Sequence, residues 1–550
     1  MTQGDNTMNH RAFGRPSVGG RDPFFLFSLV SLLDRISPVI WLLASLALLS
    51  MASVPAAAKS MARADCSKLL DLKLKDTVIT EAAVIPAAGE VPEHCRVQGG
   101  LETVILFEVS MPTSAWNGKL FYVGGAGYNG SVPELTDALA RGYAAAGSDT
   151  GHRGFHWDAS AMYNNPQAQV NYGHRATHLV AQLSKEIIQA YYGAPARRSY
   201  FCGCSNGGKM ALMEAERYPD DFDGIVGGGY VLDRTKEMAM FIWTQRALLG
   251  AEIPPYKIPA MEKATLAACD ARDGLADGLI DRPDLCKFDP KSTICPGVDG
   301  PDCLTARQAE AWRKILDGPV NSAGKKLYLG YSPGHESDYP AYITGIGTMH
   351  GYPSSNFMYE DSFMRWIIFG PEFDSVRGFD FDKSPAALVK FEKDQDAGTA
   401  DLNAFQKHGG RLILYNGWAD HSTPPMRSVE YFEQLREKTP GRDEFVRLFM
   451  MPGLYHCNGG PGPNVFGGLG QRGYKLNDPE GDIIGALDQW VEKGIAPSKL
   501  LTTKFKNDDP RQGIARTRPV CPYPQMATYT GSGSVEDAAN FSCAMPKQQN

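Results

Sequence analysis

Long runs of basic residues are missing from this chain of 550 residues. Lys and Arg number 55 and Asp and Glu number 62, which gives a formal net charge of −7. Without a basic stripe, nucleic-acid binding has little support. Internal repeats and low-complexity segments are also missing, and a charged content of 21% argues against disorder. The length exceeds one ordinary core and suits a large catalytic domain with an insertion.

Apolar runs resembling a membrane span are missing after the N-terminal region. Residues 39–49 form an apolar run of signal-peptide length, with arginines before it and three alanines after it. We therefore predict a cleaved leader over residues 1–58 and a secreted or periplasmic protein without membrane association. An uncleaved membrane anchor is the alternative, because residues 24–33 are also apolar.

Cysteine, in contrast, is plentiful, with eleven residues. Several form close pairs across loop-like sequence, which favours an oxidising compartment. The odd number leaves at least one free thiol.

Short apolar strands alternate with helices over residues 66–232, which predicts a parallel α/β sheet. Over residues 233–404 the pattern changes to helical segments, four cysteines, a Gly/Asp-rich loop and aromatic clusters. Strands return at residues 411–416 and 445–450. We therefore predict a catalytic α/β domain over 66–232 and 405–545, interrupted by an inserted domain.

Gly203-Cys204-Ser205-Asn206-Gly207 matches the G-x-S-x-G pattern of a nucleophile elbow. A strand is predicted before it, over residues 199–202, and a helix after it, from Lys209. This strand–turn–helix context is the one that α/β-hydrolases use. A serine becomes a nucleophile when a base takes its proton and a carboxylate orients that base. A glycine-rich turn with an incidental serine is the alternative.

His456 is the candidate base and Asp420 the candidate acid, because the fold requires the chain order Ser, acid, His. Both follow strands of the resumed sheet, at the edge where the elbow is expected. His421 is the rival base, but it adjoins Asp420, and adjacent side chains point apart. Asp443 and Glu444 precede their strand and would lie at the wrong edge. For His456 alone, a structural loop histidine is the alternative.

An ester carbonyl under attack needs backbone N–H donors for the developing oxyanion. The N–H of Asn206, next to the nucleophile, is one candidate. The second is expected from the loop over residues 124–127, where small residues allow close approach. Gly125 is favoured, with Ala126 or Gly127 possible, and an ordinary turn is the alternative.

Cys204 and Cys457 adjoin the candidate nucleophile and base. If Ser205 and His456 meet, the two sulfur atoms come side by side, and a disulfide would hold base against nucleophile. In the chain-entropy model such a crosslink stabilises by roughly 5 kcal/mol. Two unpaired buried thiols are the alternative, and Cys202 complicates the pairing because it lies two residues from Cys204.

Residues 269–281 carry aspartates spaced for oxygen ligation, which suits Ca²⁺. The spacing is not that of an EF-hand. Cys269 and Cys286 flank the loop, and a bridge between them would fix it. Nothing links the loop to Ser205, so the predicted role is structural. A solvated acidic turn is the alternative.

Cys204-Ser205, Asp420 and His456-Cys457 together resemble the tannase/feruloyl esterase family, whose hallmark is a Cys-Ser…Asp…His-Cys arrangement. The resemblance extends over nearly everything after about residue 66. It implies an α/β-hydrolase fold with a large inserted lid domain and a structural calcium ion in the lid. The segments that look like family blocks are residues 200–208, 218–224 and 456–462.

The resemblance also implies individual residue roles. Calcium ligands would be the side chains of Asp270, Asp273 and Asp277 and the carbonyl oxygens of Leu275 and Leu279. Cys202 would stay free. Besides Cys204–Cys457, the implied disulfides are Cys66–Cys95, Cys269–Cys286, Cys295–Cys303 and Cys521–Cys543.

These observations predict a serine carboxylesterase acting on a small aromatic acyl ester through an acyl-enzyme. Feruloyl, galloyl and terephthalate monoesters all remain open. Aromatic residues between Tyr359 and Phe369, with Trp418, are candidate acyl-group contacts. An acyltransferase that excludes water and a non-catalytic calcium-binding secreted module are the alternatives.

Overall fold

The computed structural model describes residues 63–345 and 354–546. The predicted leader over residues 1–58 lies outside the described residues. Among the helices of the described part, none has both the length and the apolar character needed to cross a membrane.

Among the described residues, nine strands form one mixed sheet at the centre of the fold. They are β1 (Thr77–Ile85), β2 (His94–Leu101), β3 (Ile105–Pro112), β4 (Lys119–Val123), β5 (Ala144–Ser148), β6 (Arg198–Cys204), β7 (Gly224–Gly228), β8 (Arg411–Gly417) and β9 (Val446–Met451).

Their order across the sheet is β1-β2-β3-β5-β4-β6-β7-β8-β9. From β5 onward all neighbours are parallel, whereas β1, β2, β3 and β5 pair antiparallel in that order. The prediction of a parallel sheet is therefore wrong for the first three strands. Short turns join these strands, and a parallel pair would require a crossover of a dozen or more residues.

Helices cover both faces of the sheet and fill the inserted region. They are α1 (Thr136–Ala140), α2 (Pro166–Val170), α3 (Ala176–Tyr192), α4 (Asn206–Arg217), α5 (Arg234–Leu248), α6 (Ile258–Cys269), α7 (Ala306–Asp317), α8 (Tyr339–Tyr342), α9 (Ser355–Phe363), α10 (Ser375–Gly378), α11 (Pro385–Gln395), α12 (Asn403–His408), α13 (Pro425–Lys438) and α14 (Ile483–Lys493).

Three apolar clusters form the interior of the part of the chain that the structure describes. One lies between a sheet face and helices α3, α4 and α13, and includes Tyr122 and Phe201. The second cluster lies between the opposite face of the sheet and helices α1 and α14, and it includes Trp490. The third consists mainly of residues from α5, α6, α7 and α9 of the inserted region, joined by Tyr128 and Tyr172 from the first half of the chain.

Two hairpins follow α14. β10 (Leu500–Phe505) pairs with β11 (Ile514–Val520), and β12 (Met526–Tyr529) pairs with β13 (Phe541–Ala544), both antiparallel. Arg518 of β11 reaches back to Asp277 of the predicted calcium loop. The C-terminal hairpins therefore brace the inserted region.

Candidate active site

Ser205 lies in a sharp turn between β6 and α4. Its backbone adopts φ 62° and ψ −121°, a conformation that is costly for a residue with a side chain. Its N–H donates to the Gly228 carbonyl oxygen of the next strand at 2.9 Å. The helix begins at Asn206, three residues earlier than the sequence predicts. Ser205 therefore stands at the carboxyl edge of the parallel strands.

Glycines permit the close approach around this turn. A Cβ atom on Gly203 would lie 2.6 Å from the carbonyl carbon and oxygen of Gly207. A Cβ atom on Gly207 would lie 3.1 Å from the Gly125 carbonyl oxygen. The glycine loop after β4 thus packs directly on the first turn of α4.

Asp420 and His456 follow β8 and β9 and form a hydrogen-bonded pair. His456 Nδ1 lies 2.9 Å from Asp420 Oδ2 and 3.1 Å from Oδ1. The buried carboxylate also accepts the N–H groups of Ser422 and Thr423 at 2.8 and 2.9 Å, and the Thr423 hydroxyl at 2.7 Å. These bonds fix the carboxylate beside the imidazole.

The Asp420 carboxylate stays charged despite its burial. Burial alone would raise its pKa, but the electrostatic interaction and hydrogen bond with His456 and the hydrogen bonds from Thr423 and Ser422 together hold the pKa below its ordinary value. An ionised Asp420 keeps the imidazole proton on Nδ1. The other ring nitrogen, Nε2, can then accept a proton.

A disulfide joins Cys204 to Cys457 across a sequence separation of 253 residues, with Cα atoms 5.9 Å apart. Gly229, after β7, lies at the same point. A Cβ atom there would stand 3.2 Å from the Cys204 sulfur. It would also stand 3.4 Å from both Asp420 Oδ2 and His456 Nδ1. The elbow, the acid and the base therefore converge.

His421, the rival base, is occupied elsewhere. It is buried, and its Nδ1 forms a short ion pair with Asp338 of the inserted region. Its ring also packs edge-on against Tyr339, with centroids 4.8 Å apart. His421 therefore pairs with Asp338, whereas His456 pairs with Asp420, as the sequence predicts.

The glycine loop over residues 124–127 has free backbone donors. The N–H of Gly124 donates to the Cys202 carbonyl oxygen at 2.8 Å. Gly125, Ala126 and Gly127 have no hydrogen-bond acceptor for their N–H groups in the part of the chain that the structure describes. These three N–H groups are therefore the candidate donors of the loop.

Two tyrosines of the inserted region approach this edge. The Tyr342 ring packs edge-on against His456, with centroids 5.8 Å apart. Tyr359 hydrogen-bonds His156 Nδ1 at 2.7 Å through its hydroxyl, beside the glycine loop. Trp418 instead belongs to the sheet core and lines a different cavity of about 90 Å³ with Met450. No sequence pattern singles out Tyr342.

The predicted calcium loop folds around its own carboxylates. Asp270 accepts the N–H groups of residues 277 and 278 at 3.2 and 2.9 Å. Asp273 Oδ1 accepts the N–H of Leu275 at 3.1 Å, and Asp277 Oδ1 that of Leu279 at 3.2 Å. The loop lines a cavity of about 510 Å³.

Asp281 is a fourth acid of this loop, outside the predicted ligand set. It is buried, and its Oδ1 has no hydrogen-bond partner among the described residues. Burial, with Asp273 beside it, raises the pKa of Asp281 to about 8. Burial, with Asp277 and Asp270 nearby, raises the pKa of Asp273 to about 6. The repulsion among these carboxylates and the unpartnered oxygen of Asp281 are compatible with a cation, whereas Asp277 is already ion-paired with Arg518.

Five disulfides are present, and they are the pairs that the family resemblance implies. Cys202 is a buried free thiol, and burial raises its pKa to about 12. Besides Cys204–Cys457, the pairs are Cys66–Cys95, Cys269–Cys286, Cys295–Cys303 and Cys521–Cys543.

Known proteins are similar to this chain in sequence and in fold. The family described as tannase and feruloyl esterase matches residues 89–544. An uncharacterized esterase of Xanthomonas campestris pv. campestris is 35% identical over 528 residues, covering 88% of this chain and 91% of the relative. The mono(2-hydroxyethyl) terephthalate hydrolase of Piscinibacter sakaiensis is 31% identical over 558 residues, covering 84% and 87%.

A crystal structure of an esterase from Aspergillus oryzae superposes with a TM-score of 0.79 at 26% identity, covering 87% of this chain and 99% of that one. The chain belongs to the tannase and feruloyl esterase family, and it is a carboxylic ester hydrolase.

Removing the crosslink with Cys204→Ala/Cys457→Ala should lower both stability and turnover. The chain-entropy model gives a loss of roughly 5 kcal/mol for this long loop. Turnover of p-nitrophenyl acetate should fall about tenfold or more, because the His456 loop is no longer held at the elbow. Both are measured at a temperature where the variant remains folded.

The matched control, Cys521→Ala/Cys543→Ala, opens a crosslink with a sequence separation of 22 residues in the C-terminal hairpins. It should lose about 3 kcal/mol by the same model and keep its turnover number. Equal turnover in the two double variants would contradict a role for Cys204–Cys457 in holding the site together.

Proposed function

We propose that this protein is a secreted serine carboxylesterase that hydrolyses aromatic acyl esters through an acyl-enzyme. The hydrogen bond between His456 Nδ1 and Asp420 carries the proposal, because the Cys204–Cys457 disulfide ties this pair to the Ser205 elbow. The left-handed backbone of Ser205 and the chain order Ser, Asp, His give further support.

The chemistry follows from the orientation of the imidazole. The Nδ1–H group of His456 donates to Asp420. His456 Nε2 then takes the hydroxyl proton of Ser205 while Ser205 Oγ attacks the ester carbonyl carbon. The bond to the alcohol oxygen then breaks, and Nε2 returns the proton to that oxygen. A water molecule next gives a proton to Nε2 and attacks the acyl carbon. The acid leaves, and Ser205 regains its proton.

Negative charge on the carbonyl oxygen needs donors that are already in position. The N–H of Asn206 has no acceptor among the described residues, because Asn206 is the first residue of α4, and the helix N-terminus favours an anion. We assign the second donor to Gly125. This assignment is supported by the contact between Gly207 and the Gly125 carbonyl oxygen, which brings the glycine loop against the start of α4.

An aromatic acyl group is supported by the family description and by the terephthalate monoester in the name of one relative. Tyr342, against the imidazole, and Tyr359, beside the glycine loop, offer aromatic surface to such a group. Feruloyl-type esters are our first choice. Galloyl esters and terephthalate monoesters are the alternatives.

An α/β-hydrolase fold with a lid over residues 233–404 completes the proposal. The strand–turn–helix elbow supports the fold, and the separate apolar cluster of the inserted region supports a lid. The predicted leader and the five disulfides support export to an oxidising compartment.

A structural calcium ion belongs to the same proposal. The crowded acids and the unpartnered oxygen of Asp281 support a bound cation that offsets their repulsion. The ion would hold the loop and take no part in ester hydrolysis. Its ligands would be side-chain oxygens of Asp270, Asp273 and Asp277 and carbonyl oxygens of Leu275 and Leu279.

Ser205→Ala tests the proposed function. Hydrolysis of methyl ferulate should fall by a factor on the order of 10⁴ to 10⁶, because no nucleophile remains to form the acyl-enzyme. Exposed Ser498, changed to Ala, is the control and should leave the rate unchanged. Undiminished hydrolysis by Ser205→Ala would refute the triad. Rates of the unchanged enzyme on methyl gallate and mono(2-hydroxyethyl) terephthalate then rank the substrate classes.

Chelation tests the calcium ion. EDTA should lower the thermal midpoint by a few degrees and CaCl₂ should restore it, because a ligand that binds only the folded state stabilises that state. Asp273→Asn should abolish this response, whereas exposed Asp302→Asn should keep it. If EDTA stopped hydrolysis without changing the thermal midpoint, a structural role would be excluded.

A further inference from the structure

Tyr172 lies fully buried behind the elbow, in a π-helical turn between α2 and α3. Its hydroxyl stands 2.9 Å from the side-chain oxygen of Asn206 and 3.2 Å from the carbonyl oxygen of Gly127. π-Helical turns are frequent at functional sites. One hydroxyl group therefore reaches two chain segments that are far apart in sequence.

These two segments are the ones that carry the candidate oxyanion donors. Asn206 begins α4 and offers its backbone N–H, while the glycine loop ending at Gly127 offers the N–H of Gly125. Glycine backbones touch where the segments meet, at Gly207 and Gly125, and such contacts are weakly directional. The Tyr172 hydroxyl adds a directional link across the junction.

The hydroxyl is itself held in place. The Tyr172 ring lies beneath Lys209 Nζ, which stands 4.1 Å from the ring centre, and beside the Tyr128 ring at 5.7 Å. Arg234 Nη2 approaches the same Asn206 oxygen at 3.4 Å. Because the hydroxyl carries one proton, it donates to Asn206 Oδ1 at 2.9 Å and shares that proton with the Gly127 carbonyl oxygen at 3.2 Å. This three-centre hydrogen bond places both segments against one buried ring.

We infer that Tyr172 is a positioning residue that sets the spacing between the two halves of the oxyanion hole. The inference rests on the proposed function of Ser205. Tyr172 touches no reacting atom, and its effect passes through Asn206 and the glycine loop. Preorganised donors act chiefly on the transition state, so their misplacement lowers kcat more than it raises KM.

Tyr172→Phe removes the hydroxyl and keeps the ring. We expect kcat for methyl ferulate to fall about 10- to 100-fold with KM changed less than about twofold. Affinity for an aryl boronic acid, which forms a charged tetrahedral adduct with a nucleophilic serine, should fall by a similar factor. Affinity for ferulate, the product acid, should stay the same.

Tyr192→Phe is the matched control, because it also loses one buried hydrogen bond, from its hydroxyl to the Pro112 carbonyl oxygen at 2.7 Å. It should keep both kcat and boronic acid affinity. Unchanged kcat in Tyr172→Phe, or equal losses in the two variants, would overturn the inference.

Asn206→Ala supplies a second variant if Tyr172→Phe folds poorly. It removes the hydrogen-bond acceptor and keeps the backbone N–H. It should show the same selective loss of kcat, and the double variant should lose little more than either single one. If the losses of kcat in the two single variants added up fully in the double variant, Tyr172 and Asn206 would not act through the same hydrogen bond. If Ser205→Ala retained activity, the proposed function would fail, whereas an inactive Ser205→Ala with unchanged Tyr172→Phe would refute only this inference.

Discussion

The disulfide between Cys204 and Cys457 is the constraint on which the site depends. β6 and β9, the strands that lead to these cysteines, are separated in the sheet by β7 and β8. Three strand spacings amount to roughly 14 Å, whereas the two Cα atoms lie 5.9 Å apart. The loops must therefore lean across the intervening strand ends. Asp420, which follows β8, lies in between and meets His456 there.

The inserted region contributes side chains to this arrangement. Arg234, at the start of α5, approaches the side chain of Asn206, and Tyr342 packs against the candidate base. Asp338 forms an ion pair with His421, the histidine next to Asp420. A movement of the inserted region would therefore displace the elbow and the His456 imidazole. The proposed acyl-group contacts and the proposed catalytic residues are coupled in this way.

Local sequence predicts those parts of the molecule that follow from local rules. The apolar run at residues 411–416 predicts a strand, and β8 spans Arg411–Gly417. Strand ends predict the loops of Asp420 and His456, because parallel strands share one carboxyl edge. The antiparallel direction of strands β1 to β3 could not be predicted, and neither could the positions of Asp281 and Tyr172. They depend on contacts between side chains distant in sequence, for which neither spacing nor periodicity gives a signal.

Trapping the acyl-enzyme tests the central claim most directly. The protein is mixed with an excess of an activated feruloyl ester, quenched in acid within the first turnovers, digested and analysed by mass spectrometry. The account predicts a feruloyl mass increment on the peptide that contains Ser205, at a rate matching the initial release of alcohol. An increment confined to another residue, or rapid hydrolysis with Ser205 never modified, would contradict it.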